Sequence, residues 1–213
     1  MQTDEWEIDN LPNRLTLFRI ILIPVIITSL FLCSLNWEWA QAQQKLLGYL
    51  AAWTFVLASV TDYFDGHIAR KKNIVTVFGS FLDPIADKFL VVSSLILLQN
   101  LERIPAFIVV ILVLREMYIT SLRLLATERG LSIPVGNLGK LKTTFQMVAL
   151  PFLMAWDSPW GIPMVPIGTV LIYLASIISL YSAFEYSLGL IRKIKIARQE
   201  KREKKSKGTK DAP

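Results

Sequence analysis

The chain has 213 residues, of which 53% are hydrophobic and 19% charged, and its mean hydropathy is +0.46. Apolar stretches near 20 residues recur from about residue 15 to residue 191, which excludes a separate water-soluble domain and predicts one membrane-embedded bundle. The formal net charge of +6 raises the question of nucleic acid, but ten Lys/Arg against three Asp/Glu beyond residue 191 make the basicity a property of the tail, leaving −1 elsewhere.

In chain order, the opening MQTDEWEID is acidic and is followed by Pro12 and Asn13, so it lacks the charged start and cleavage region of a signal peptide. It predicts a short interfacial segment containing Trp6, followed by a retained first helix. The fold class expected is an all-α membrane protein, with six transmembrane helices in one bundle over residues 15–35, 46–70, 77–98, 105–129, 138–156 and 166–191. Pro105 suits a first helical turn, whereas Pro24 and Pro151 are expected to kink their helices. The single Cys33 excludes an intramolecular disulfide and a cysteine-only metal site.

The domain reading is a catalytic bundle over 1–192 and a basic cytosolic tail over 193–213, helical near Arg192 and disordered beyond for want of apolar residues. Such a tail is drawn to anionic headgroups by about 1 kcal/mol per basic residue near the surface. No aromatic-basic stacking pattern or groove-reading motif accompanies it, so nucleic acid is not an expected partner.

The connections at 70–72 and 129–142 and the tail are basic, while those at 36–44, 99–105 and 157–163 are not, which puts both termini in the cytosol. Trp37, Trp39, Trp156 and Trp160 fall in the opposite connections and are expected to anchor at the interface.

Residues 61–88, TDYFDGHIARKKNIVTVFGSFLDPIADK, join the second and third helices. Asp62 and Asp65 are three apart and Asp83 and Asp87 four apart, so each pair occupies one helix face, and a short turn would bring the faces together. Four ionised carboxylates in one partly desolvated place repel, and bound cations relieve that repulsion. Hard oxygen donors without a cysteine cluster point to Mg²⁺ or Mn²⁺. Gly66, Ala69 and Gly79 lack the bulk that would keep a flat ligand from the backbone, and Arg70 suits a phosphate. Hydrated aspartates and glycine-mediated helix packing are the plainer alternative, weak for eight positions together because ionisable groups at membrane depth are costly.

Asp62, Asp65, Gly66, Ala69, Arg70, Gly79, Asp83 and Asp87 follow D-x2-D-G-x2-A-R-x8-G-x3-D-x3-D, which resembles the signature of the CDP-alcohol phosphatidyltransferase family. The resemblance implies a six-helix membrane enzyme, usually a homodimer, that displaces CMP from a CDP-linked lipid with an alcohol. It also implies two divalent cations on Asp62, Asp65 and Asp83, a further metal contact from Asp87, and Asp87 as the base that accepts the alcohol's proton. Gly66 and Ala69 would border the cytidine, Arg70 the diphosphate. His67 occupies a variable position and is read as a bystander.

Two further segments, LPNRLTLFRIILIP and REMYITSLRLLATERG with GKLKTTFQM, resemble the bacterial phosphatidylglycerophosphate synthases within that family. They imply CDP-diacylglycerol and sn-glycerol 3-phosphate as substrates and an inner-membrane location with a cytosolic active site. A phosphorylated acceptor needs cations, for which Arg115, Arg123 and Lys140 are the candidates; positive-inside anchoring competes for Arg123 and Lys140 and is favoured for Lys142. Asn13, Thr16 and Arg19 recur every three residues on the first helix and either line the nucleotide side or cap and anchor that helix. Still open are sister acceptors (inositol phosphate, phosphatidylglycerol or an amino alcohol) and, outside enzymes, a transporter or a scaffold.

Overall fold

The computed structural model describes the backbone of residues 11–72, 77–128 and 136–210, and the side chains over 16–61, 82–128 and most of 136–196. The expected interfacial segment with Trp6 lies outside the described residues. Seven α-helices and a 3₁₀ turn, with no strand, make up these residues: α1 (Leu11–Ser34), α2 (Glu38–Ala42), α3 (Gln44–Lys72), α4 (Val77–Asn100), α5 (Ala106–Glu128), α6 (Asn137–Ala155), the 3₁₀ turn Pro159–Gly161, and α7 (Met164–Lys210). Six of them coincide, to within a few residues at most ends, with the expected spans, and α2 is an additional short helix in the first connection. Among the described residues, two helices carry stretches long and apolar enough to cross a membrane, Thr16–Ser34 and Met164–Ile196. Helices α1, α4 and α6 continue through Pro24, Pro84 and Pro151.

The chain divides into two compact units, one comprising Met1–Val109 with Phe145–Tyr173 and the other Val110–Thr144 with Leu174–Pro213. In the first, α1 packs against both α3 and α4. Its buried apolar residues include Ile26 and Leu30 of α1, Phe55 of α3, Leu90, Leu95 and Leu98 of α4, and Leu150 and Leu153 of α6. Helix α6 approaches α3 so closely that a Cβ at Gly48 would sit 2.7 Å from the Met154 carbonyl oxygen, so only glycine fits there without movement.

The connection from α4 to α5 shows how polar backbone ends are satisfied in an apolar setting. The amides of Glu102 and Arg103 donate to the carbonyls of Gln99 and Leu98, closing α4 with Glu102 in the left-handed region at φ 58°. Buried Arg103 then donates from Nη1 to the carbonyls of Leu153 (3.1 Å) and Met154 (2.6 Å) at the end of α6. Its guanidinium lies 5.2 Å from the Trp156 ring centroid, so Trp156 has a structural role besides the interfacial one expected. Trp37 and Trp39 are exposed.

Helix α7 is one helix of 47 residues that continues to Lys210. Composition predicts disorder beyond Arg192, but Lys, Arg, Glu, Gln and Ala are strong helix formers, and a helix already built by the apolar part supplies the costly first turn.

Candidate active site

Helix α3 carries Asp62, Asp65, Gly66, Ala69 and Arg70 in its last three turns, and α4 carries Gly79, Asp83 and Asp87 in its first three, with residues 73–76 between them. The side chains of Asp62, Asp65, Ala69, Arg70 and His67, the surroundings of Gly66 and Gly79, and the side chain of Asn13 lie outside the described residues. Asp83 and Asp87 are described, both partly exposed. Pro84 between them cannot donate the helical hydrogen bond to residue 80, loosening α4 beside the two carboxylates.

Helix α1 supplies a donor to each. The Thr16 hydroxyl donates to Asp83 Oδ1, and Arg19 Nη1 donates to Asp87 Oδ1 at 2.7 Å. Thr16 is 1% exposed and Arg19 fully buried, whereas the Asp87 side chain keeps 40% of its surface. A guanidinium out of water is tolerable only when paired and hydrogen-bonded, so Arg19 ties α1 to α4 at this point. Thr16 and Arg19 thus face the carboxylates of α4. Asp83 and Asp87 offer hard oxygen donors one turn apart, the donor type that Mg²⁺ or Mn²⁺ takes, and among the described residues no third such side chain joins them.

The second unit contains a cavity of about 420 Å³ lined by Arg115, Arg123 and Arg192 together with Glu185, Tyr186 and Gly139. That volume is typical of a small-molecule site. Arg115 is fixed: Nε donates to Ser179 O (3.4 Å), Nη1 to Glu116 Oε2 (3.3 Å) and Nη2 to Ser182 Oγ (2.8 Å). Arg123 and Arg192 are exposed, and the Arg123 guanidinium lies 5.9 Å from the Tyr186 ring centroid. Lys140 is exposed on the first turn of α6 beside Gly139 and does not line the cavity. Lys142 is no solvated anchor: it is 4% exposed and donates to Glu116 Oε2 at 2.9 Å.

Residues 9–186 match the family model described as CDP-alcohol phosphatidyltransferase. The chain belongs to the CDP-alcohol phosphatidyltransferase family. Proteins named CDP-diacylglycerol--glycerol-3-phosphate 3-phosphatidyltransferase are among its similar relatives. The one from Bacillus subtilis (strain 168) is 37% identical over 180 residues, spanning 83% of this chain and 93% of its own length. Those from Rickettsia typhi (strain Wilmington) and Shigella flexneri (serotype 5b) are 39% and 37% identical over 181 and 183 residues, each spanning 83% of this chain and over nine-tenths of their own.

Within this CDP-alcohol phosphatidyltransferase, sequence reasoning passed over Glu116, Glu185, Tyr186 and Arg192. Glu116 had a legible signal, an acid beside Arg115 in an otherwise apolar run, which at such a position calls for a cationic partner. Ser182, Glu185, Gly189 and Arg192 follow a spacing of three, four and three, one face of α7. Assigning Arg192 to the boundary of a basic tail concealed its place on that face.

Proposed function

We propose that the protein is a multi-pass membrane enzyme that transfers the phosphatidyl group of CDP-diacylglycerol to sn-glycerol 3-phosphate, releasing CMP and giving phosphatidylglycerophosphate. The observation that carries this reading is the complete eight-residue signature from Asp62 to Asp87 in a chain whose similar relatives bear that activity in their names. Six spans, both termini and the active site on the cytosolic side of a bacterial inner membrane, and a homodimer complete the proposal.

Asp62, Asp65 and Asp83, with a further contact from Asp87, would hold two divalent cations, Mg²⁺ or Mn²⁺. Cations bound by these residues would supply charge neutralisation of the diphosphate and of the oxygen that leaves with CMP. Gly66, Ala69 and Gly79 admit the nucleotide to the helix backbone, Asn13 borders it, and Arg70 meets the diphosphate. Asp87 accepts the proton of the glycerol 3-phosphate primary hydroxyl as that oxygen attacks the lipid-linked phosphorus; Arg19 fixes the carboxylate, so Asp87 works through placement more than basicity.

The acceptor's phosphate is held by charge-assisted hydrogen bonds from Arg123 and Arg192, with Arg115 behind them and Lys140 at the rim beside Gly139. Arg115 retains its second Nη hydrogens for this purpose. Support comes from the clustering of three arginines around one small cavity.

Purified protein assayed for CMP release from CDP-diacylglycerol against a panel of acceptors tests the assignment. Preference for glycerol 3-phosphate, lost on chelation and restored by Mg²⁺ or Mn²⁺, is the expected result. Preference for inositol phosphate, phosphatidylglycerol or an amino alcohol would overturn the acceptor, undiminished turnover after exhaustive chelation the metal site, and no release with any alcohol the enzyme reading itself.

A further inference from the structure

Among the described residues that line the cavity of the second unit, Glu185 is the one acid, in the company of Arg115, Arg123 and Arg192. An acid beside three guanidiniums ordinarily pairs with one of them, yet the Glu185 carboxylate makes no hydrogen bond or ion pair with any described residue. On the lining face of α7 it stands one turn from Ser182, whose hydroxyl accepts from Arg115 at 2.8 Å, and two turns, about 10 Å along the axis, from Arg192. Its Oε2 is turned toward the start of α6, 4.0 Å from where a Cβ on Gly136 would lie.

A carboxylate accepts hydrogen bonds and cannot donate them, whereas a guanidinium only donates. A cavity lined by both calls for a ligand with an anion for the arginines and a hydroxyl for the acid. Glycerol 3-phosphate carries two hydroxyls. The primary one attacks the lipid-linked phosphorus, which leaves the secondary one, on the chiral carbon, to be bound. Telling a chiral molecule from its mirror image takes three points of attachment, and the phosphate and the reacting hydroxyl supply only two. We infer that Glu185 is the third: it accepts a hydrogen bond from the secondary hydroxyl and so selects the hand of the acceptor. This role rests on the reading of glycerol 3-phosphate as the acceptor, to which it adds a specificity-determining residue. A carboxylate that merely tempered the positive charge of the cavity would affect every phosphorylated acceptor alike.

The test uses full-length protein purified in detergent and CMP release from CDP-diacylglycerol. Three acceptors are compared: sn-glycerol 3-phosphate, its mirror image sn-glycerol 1-phosphate, and 3-hydroxypropyl phosphate, which lacks only the secondary hydroxyl. Glu185 is exposed, so water replaces a lost partner and discrimination stays far below that of a buried site. In the wild type, kcat/KM for sn-glycerol 3-phosphate is expected to exceed that for each of the others about 10-fold, the worth of a hydrogen bond to a charged group. Glu185→Met, which removes both acceptor oxygens at similar length, is expected to bring both ratios within about twofold of unity. Glu185→Asp, which keeps the charge and withdraws the carboxylate by one methylene, is expected to lower both ratios about threefold or more.

The assignment is overturned if Glu185→Met changes kcat/KM for all three acceptors by the same factor and leaves either ratio intact, the result that a charge-tempering role requires. Should Glu185→Met fail to fold, Glu185→Asp decides, with lowered ratios supporting the role of Glu185 and undiminished ones overturning it. A wild type that uses sn-glycerol 3-phosphate and 3-hydroxypropyl phosphate equally well overturns it directly. A wild type that releases CMP with another alcohol but with none of these three would instead overturn glycerol 3-phosphate as the acceptor, and the role of Glu185 with it.

Discussion

Lys142 and Glu116 meet at 2.9 Å with the Lys142 side chain only 5% exposed, and the same Glu116 oxygen also accepts from Arg115. Removing the charge of Glu116 leaves a buried ammonium without its counter-ion, a change that is costly in proportion to the burial. Because Glu116 itself is about one-third exposed, Glu116→Gln is expected to cost about 1–3 kcal/mol, read as a lower melting temperature in detergent. The same variant frees one of the groups that fix Arg115 and should raise KM for glycerol 3-phosphate. Arg123 stands differently, exposed and lining the cavity. Arg123→Gln is expected to raise that KM about 10-fold to 100-fold, the worth of a charged hydrogen bond, while the KM for CDP-diacylglycerol hardly moves. At this scale the aspartates were legible because their spacing alone expresses a helix face. Their partners Thr16 and Arg19 were legible as a stripe but not as partners, since the donor and acceptor in each pair lie 67 or 68 residues apart, across an association of helices that no local spacing encodes.

Helix termini and crossings set the stability of the elements. At Gly48 the atom that an added methyl would strike is a carbonyl oxygen of α6, which cannot rotate aside as a side chain does. Gly48→Ala is therefore expected to destabilise by about 1–3 kcal/mol despite the better helix propensity of alanine. Past α6, the amide of Ser158 bonds to the Asp157 carboxylate and, with Lys45 and Tyr49 as further partners, holds its pKa below the ordinary carboxylate value. A depressed folded-state pKa means that this contribution is complete above the unfolded value near about 4 and disappears as pH falls through the folded one. Asp157→Asn should accordingly melt below the wild type at pH 6, with the gap closing as the buffer is taken below about pH 4. The positions of six helices could be read from apolar run lengths, because those lengths are set by the chain's own composition. The cap that Arg103 places on α6 could not, since it depends on where Leu153 and Met154 end up in space.

At the scale of the whole chain, apolar runs carried the helix count, but not the division into two compact units, whose boundaries at Val109/Val110, Thr144/Phe145 and Tyr173/Leu174 fall inside helices with no change in composition to mark them. The tail, lacking apolar residues to bury, has no tertiary packing for composition to predict, and its backbone extends a helix already begun, to Lys210. Removing residues 201–213 should leave turnover in detergent within about threefold of the full chain, because the cavity arginines all precede the cut. A complete loss of activity would contradict this.

The continuity of α7 alters what its charges do at a membrane. Fourteen residues from 197 to 210, continuing the apolar stretch as helix, reach about 21 Å further along the axis at 1.5 Å each. Electrostatic attraction to a lipid surface decays over about 8 Å at physiological ionic strength. A flexible tail could fold all of its lysines back onto the headgroups, whereas a stiff rod leading away from the surface delivers only its first turn. Arg192, Lys193, Lys195 and Arg198 would then supply most of the lipid attraction. The lysines nearer Lys210 would stand beyond that decay length as a mast of positive charge, available to acidic molecules that never touch the bilayer.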